Sequence, residues 1–288
     1  MSRLQIPFRY DYVGSFLRPE ELKQARAAFA EGKISQEQLT RVEDECITQL
    51  VKKQKELGYH VITDGEFRRS YWHLDFMWGL NGIEHIELDH GYYFHGEETT
   101  HGSCRNLQLD DCTWGMIVDE GYRKARISEG VSLEEEAAAY LKVNNLALAD
   151  LPEDLRVATH ICRGNYHSAY ACSGPYDKAA PYVFAKENVD AFYLEFDDAR
   201  SGSFDCLAQI PAGKKVVLGL VTTKNPALEN KEDVVRRIHE AAAFVPLENL
   251  CLSPQCGFAS CEIGNKLTPE EQWKKMELVR EIAEEVWQ

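Results

Sequence analysis

The sequence predicts an α/β protein built around a parallel sheet. Three observations carry this. Short apolar or alternating runs take turns with amphipathic helical segments along most of the 288 residues. Lys215 to Val221 is almost wholly apolar, as expected of a strand covered on both faces. Polar side chains able to bind metal recur just after the apolar runs, where parallel sheets present their chemistry. Seven strands can be counted, one short of a closed (β/α)8 barrel, and an open doubly wound sheet is the alternative. No Gly-rich dinucleotide fingerprint and no Walker-type loop follows any strand, which disfavours nucleotide folds.

Tyr10 to Phe16 reads as a strand with a turn at Gly14. Pro19-Glu20-Glu21-Leu22 starts a helix that Gly32 ends, with two acids at the positive end of its dipole. Ser35-Gln36-Glu37-Gln38 has capping-box spacing and opens a long helix to Leu57, stopped by Gly58. Tyr59 to Thr63 is the second strand, running into Asp64-Gly65-Glu66, and the aromatic stretch Tyr71 to Leu80 reads as a short helix. Asn81 to Arg105 has no clear period. A strand–helix unit is therefore either missing or disguised between about residues 81 and 105. Asn106 to Asp110 reads as a strand and Ser132 to Ala149 as a helix. Strands follow at Arg156 to Cys162, Ala191 to Glu195, Lys215 to Val221 and Leu250 to Leu252. Helices are read near Phe204 to Ile210, over Lys231 to Val245, and over Thr268 to Trp287 with Pro269 at its first position.

A hydrophobic content of 44% is ample for one core, and residues 1–288 read as a single domain. The net charge of −15 disfavours nucleic acid and anionic membranes as partners. No run approaches a membrane span, and Met1 to Arg9 lacks the apolar core of a signal peptide. Nine cysteines without regular spacing fit a reduced, cytoplasmic protein whose thiols are mostly buried apolar groups. Oligomeric state is open, a homo-oligomer included.

The chemistry gathers at strand ends. His160 and Cys162, two apart, must point to the same side of their strand. Glu195 closes the next strand, and Cys256 follows the last in Ser253-Pro254-Gln255-Cys256-Gly257. These four could converge on zinc, which prefers thiolate and imidazole where magnesium and calcium prefer oxygen. Each alone has a plainer reading: Cys256 a buried thiol, Glu195 an ion pair with Arg200, His160 a core histidine. His85, His90, His95 and His101 read as a loop rather than a metal tract. His167, Arg163 and Asn165 are loop residues that could contact substrate. Cys104, Cys112, Cys172, Cys206, Cys251 and Cys261 read as structural.

On these residues the chain resembles the catalytic domain of cobalamin-independent methionine synthase, and more closely the short single-domain proteins of that superfamily. The matching stretches are Val13-Gly14-Ser15-Phe16, Asp64-Gly65-Glu66, Gln108-Leu109-Asp110-Asp111, His160-Ile161-Cys162, Leu194-Glu195 with Arg200-Ser201, and Pro254-Gln255-Cys256-Gly257. They stand in the family's order over nearly the whole chain. The resemblance implies a (β/α)8 barrel with zinc on His160, Cys162, Glu195 and Cys256. It implies that the amino and carboxyl groups of homocysteine are held by Ser15 with the nearby backbone of Val13 and Gly14, by Glu66 and by Asp110. The implied reaction methylates the homocysteine thiol to methionine, with 5-methyltetrahydrofolate as donor. Zinc binding removes the thiol proton, and Glu195, the hardest ligand, is expected to loosen when the thiol arrives. Two departures stand out. The larger synthases carry an N-terminal domain, whereas this chain begins directly at the barrel. Where they place a histidine suited to proton transfer, this chain has Lys224, a candidate catalytic residue but a poor acid near neutrality. A corrinoid or other small methyl donor is therefore an alternative, as is a non-catalytic zinc- or thiol-binding relative.

Overall fold

The computed structural model describes residues 7–80, 83–87, 89–99, 102–105, 113–152 and 155–287. Helix α1 (Glu20–Ala30) starts behind Pro19, with Glu20 and Glu21 in its first turn. Helix α2 (Gln36–Glu56) opens with a reciprocal cap: the Ser35 hydroxyl accepts the Gln38 N–H at 3.3 Å, and the Gln38 side chain accepts the Ser35 N–H at 2.8 Å. Helix α3 (Leu74–Trp78) is followed by β1 (Glu84–Glu87), β2 (Tyr93–Phe94), β3 (Glu97–Glu98) and β4 (Gly102–Arg105). Three helices come next: α4 (Thr113–Val118), α5 (Glu120–Ser128) and α6 (Leu133–Ala147). The second half runs β5 (Ala158–Ile161), α7 (Val183–Lys186), β6 (Ala191–Glu195), β7 (Lys215–Val221), α8 (Lys231–Ala241), β8 (Leu250–Pro254) and α9 (Pro269–Val286), and the helix expected near Phe204 to Ile210 is a 3-10 helix, Phe204–Gln209, between β6 and β7. The last helix carries Pro at its N-terminus and a Thr268/Glu271 capping box.

Strands β5, β6, β7 and β8 form one parallel sheet in sequence order, with His160 opposite Tyr193 and Glu195 opposite Gly219. The sheet continues past β8 onto the start of the chain. Tyr10 bridges Leu252 in parallel, Asp11 N–H donates to the Leu252 carbonyl at 3.1 Å, and Leu252 N–H donates to Arg9 at 2.9 Å. The next segment is tied on in turn, by Phe16 N–H to the Gly65 carbonyl at 3.1 Å and Thr63 Oγ1 to the Gly14 carbonyl at 2.8 Å. First and last strands as neighbours is the circular order of a barrel, and the fold is of the (β/α)8 class. The expected strands Tyr10 to Phe16 and Tyr59 to Thr63 form no continuous ladder: Tyr10 alone makes an isolated bridge, and bends fall at Gly14, His60 and Val61. Gly14 turns to φ 138°, and the Thr63 N–H goes to the Gln54 side chain at 3.0 Å instead of to a strand.

The segment that lacked a period holds no strand–helix unit among the described residues. β1 pairs antiparallel with β4 and β2 with β3, two small ladders outside the parallel sheet. The strand expected at Asn106 to Asp110 lies outside the described residues. Helices α4 and α5 were not expected, because they are short and each contains a glycine, Gly115 and Gly121. Asp119 separates them and caps α5, its Oδ1 accepting the Tyr122 N–H at 3.0 Å.

Two apolar clusters hold the molecule. The larger packs β5–β8 against α4, α6, α8 and α9, with Phe192, Leu218 and Ile282 wholly buried. The smaller joins Tyr12, Phe16, Leu22, Leu50 and Phe67 to Met276 of α9. No helix among the described residues is long and apolar enough to cross a membrane.

Candidate metal centre and adjoining cavity

Parallel strands in register deliver their C-terminal ends to one place. His160 on β5, Cys162 just beyond it, Glu195 at the end of β6 and Cys256 just after β8 offer ligand atoms that all lie within 4.8 Å of one another. The two thiol sulfurs are 3.9 Å apart, and His160 Nε2 is 3.9 Å from Glu195 Oε1. A tetrahedral ion with metal–sulfur bonds of about 2.3 Å separates its sulfurs by about 3.8 Å, whereas a disulfide needs about 2 Å. Both ring nitrogens of His160 are buried, and neither makes a hydrogen bond of good geometry, although the Cys256 thiol and the Tyr193 backbone lie beside the ring. An imidazole so placed can offer its lone pair to a metal. The Cys256 thiol is held well above its ordinary pKa, first by the Cys162 thiol beside it and then by burial. Two sulfurs, an imidazole and a carboxylate fit a zinc-type ion.

The carboxylate is held on both sides. Glu195 is fully buried; its Oε1 accepts the Arg163 N–H at 2.8 Å, while Oε2 faces Arg200 at 3.4 Å and Lys224 Nζ at 3.7 Å. The plain reading of Glu195 as a partner of Arg200 and its placement beside His160 therefore coexist. Cys162 Sγ accepts the Gly164 N–H at 3.3 Å. Helix α4 comes so close to this loop that a Cβ at Gly115 would lie 2.2 Å from the Cys162 carbonyl oxygen.

A cavity of about 380 Å³ opens beside the ligands, within the size range of small-molecule sites. Its wall includes Val13, Ser15, Glu66, His160, Cys162 and Cys256. Ser15 is pinned there: its Oγ accepts the Ala259 N–H at 3.2 Å, and a Cβ at Gly257 would meet that oxygen at 1.9 Å. Glu66 sits in the left-handed region at φ 62°, an uncommon place for a residue with a side chain. Its N–H donates to Asp64 at 2.9 Å and its carbonyl accepts from Arg18 at 2.8 Å. Its Oε2 is buried without a partner, and burial raises its pKa against the opposing charges of Arg18 and Arg69.

The remaining candidates fall elsewhere. Gly14 places its carbonyl on Thr63 and is not part of the wall. Asp110 lies outside the described residues, and Lys224 stands behind Glu195 rather than in the cavity. Trp72, Trp114 and Ser260 also line the wall and were missed. Trp72 belongs to an aromatic run whose spacing reads as core packing, and Trp114 opens a helix too short to show a period. His85 stacks on Trp78 and His95 on Tyr170, so these rings pack as a loop packs; His101 lies outside the described residues. Cys172, Cys206, Cys251 and Cys261 are buried cysteines away from the four candidate ligands, with the Cys104 and Cys112 side chains outside the described residues.

The model of the cobalamin-independent synthase catalytic domain matches residues 10–93 and 103–285. The chain is 38% identical to the uncharacterized protein YxjG of Bacillus subtilis, covering all of this chain and 97% of that protein. That alignment runs over 365 positions against 288 residues here, so the relative carries several tens of residues without a counterpart. The break in the family match falls where the strand count runs short. A methionine synthase of Saccharolobus solfataricus is 22% identical over 85% of this chain and 86% of its own. Among solved structures, a candidate vitamin-B12-independent methionine synthase of Listeria monocytogenes superposes with a TM-score of 0.73 at 30% identity over 98% of both chains. A B12-independent methionine synthase of Shewanella sp. W3-18-1, in complex with selenomethionine, shares the fold at a TM-score of 0.59 and 18% identity over 96% of this chain and 97% of its own. With the family match extending over most of its length, the chain belongs to the cobalamin-independent methionine synthase catalytic-domain family.

Proposed function

We propose that this protein is a zinc-dependent S-methyltransferase that methylates homocysteine to methionine, with 5-methyltetrahydrofolate as donor. The observation that carries the reading is the convergence of His160, Cys162, Glu195 and Cys256 within 4.8 Å, three of which (His160, Cys162 and Cys256) line the cavity that also holds Ser15 and Glu66. Zinc on these four ligands supplies the Lewis acidity that keeps a substrate thiol deprotonated at neutral pH.

The chain's own residues do the rest. The unpartnered Oε2 of Glu66 is suited to receive the substrate ammonium, and Ser15 with the backbone at Val13 to receive its carboxylate. Asp110 is assigned to the same ammonium on the family pattern. Methyl transfer forms the new C–S bond as the N5–methyl bond of the donor breaks, and N5 gains a proton. Lys224 is a weak candidate for supplying it, because its ammonium lies against Glu195. Its role in this reading is to offset negative charge at the ligand carboxylate. The selenomethionine held by the Shewanella protein is a close analogue of the product. We assign the protein to the cytoplasm, as its free buried thiols favour.

Lys224 also favours a second reading, transfer from a corrinoid or other small methyl donor that needs no proton at leaving nitrogen. Purified protein assayed with homocysteine and either 5-methyltetrahydrofolate or methylcobalamin separates the two. Methionine formed from the folate alone supports the first reading and from the corrinoid alone the second. Zinc-loaded protein inactive with both would reduce the assignment to a thiol-binding relative.

A further inference from the structure

The turn Gln255-Cys256-Gly257 is held from behind by buried side chains that line no part of the cavity. Asn165 Nδ2 donates to the Gly257 carbonyl at 2.6 Å, and Thr223 Oγ1 donates to the same carbonyl at 3.0 Å. Gln255 Nε2 donates to Thr223 Oγ1 at 3.1 Å, and its Oε1 accepts the Thr223 N–H. Asn265 closes the network. Its Nδ2 donates to Asn165 Oδ1 at 2.9 Å and to the Thr223 carbonyl at 2.8 Å, while its Oδ1 accepts the Ser168 N–H at 2.9 Å. Its backbone N–H donates to Phe258 at 3.0 Å. All four side chains belong to residues no more than 5% exposed.

The wiring joins the loop that carries Cys162 to the turn that carries Cys256. Asn165 is three residues past one thiol and bonds the residue next to the other. Asn265 uses both amide hydrogens and its oxygen, so the network is satisfied and specifies one arrangement of the loops. The sulfur separation of 3.9 Å suits one tetrahedral ion, and a drift of a few tenths of an ångström would spoil it.

We infer that Asn265 and Thr223 are positioning residues for the metal centre: through Asn165 and Gly257 they set where Cys256 stands relative to Cys162. The inference rests on the metal reading above. Zinc affinity by chelator competition, and the absorption spectrum of the cobalt-substituted protein, should be measured for Asn265→Asp, Thr223→Val and Thr223→Ser. Asn265→Asp keeps the shape but not the donors, and should weaken zinc about 10–100-fold with an altered cobalt spectrum, the range typical of outer partners of metal ligands. Thr223→Val should weaken zinc about tenfold, and Thr223→Ser, which keeps the hydroxyl, should restore it. Folded variants with wild-type affinity and spectrum would overturn the inference, whatever their melting temperatures. If Asn265→Asp does not fold, the Thr223 pair decides. Wild-type protein that takes up no zinc would sink the metal reading and this inference together, a result distinct from equal affinity in all variants.

Discussion

The metal half of the site and its substrate half are built in different ways. His160 and Glu195 stand on strands of the parallel sheet, and Cys162 and Cys256 within two residues of strand ends. Glu66 and Ser15 stand on turns, with Glu66 and Gly65 both in left-handed backbone at φ 62° and 69°. Strand ends fix direction through the ladder itself, while turns hold direction only through the bonds each residue makes. The difference teaches which part is free to change: the four candidate metal ligands are tied to the sheet, whereas Ser15 and Glu66 rest on loops that can be rebuilt around it.

The sharpest way to break this contrast is to strike each half and read both. Cys256→Ser should weaken zinc binding by more than about 100-fold, since even outer partners cost 10–100-fold. Chelator competition measures it, and near-wild-type affinity would mean that Cys256 is a core thiol. Glu66→Gln should leave zinc unchanged and raise the KM for homocysteine by about 10- to 100-fold, the value of a hydrogen bond to a charged group. A loss of zinc in Glu66→Gln would erase the division between the halves.

Smaller effects are expected below the site. Asp11 is buried beside β8, accepts the Tyr193 hydroxyl at 2.8 Å, and has its pKa pushed up to about 6, mainly by burial. A carboxyl that holds its proton more tightly when folded favours the folded state at low pH, and that contribution is lost as pH rises from about 4 through 6. Asp11→Asn should therefore be the more stable protein at pH 7, by about 1–3 kcal/mol, with the advantage vanishing near pH 4. Denaturant melts at both pH values test the sign; an equal advantage at both would contradict it. Cys251→Ser, on β8 but outside the metal cluster, should cost about 1–2 kcal/mol in the same melts and leave zinc content intact.

The grouping of the four candidate ligands was legible in the sequence because it obeys simple periods. The two-residue spacing of His160 and Cys162 places them on one face of a strand, and Glu195 and Cys256 follow apolar runs whose ends are easy to mark. Helix α2 was legible from the Ser35/Gln38 cap, which appears with both hydrogen bonds. The loops were not, because their order comes from contacts between distant residues. Trp72 reaches the cavity wall with its N–H on the Ser260 carbonyl at 3.0 Å, a bond across nearly two hundred residues that no local pattern encodes. Thr63 looked like a strand residue until Gln54, on the preceding helix, took its N–H. Strands β1–β4 are only two to four residues long, too short for a period to announce them.

The most direct test of the central claim is the zinc content of the wild-type protein, read together with its response to thiol. The account predicts one zinc per chain with two sulfur ligands, and a cobalt-substituted spectrum that changes when homocysteine is added. Protein that retains no metal after purification in zinc, or a cobalt spectrum indifferent to homocysteine, would contradict it.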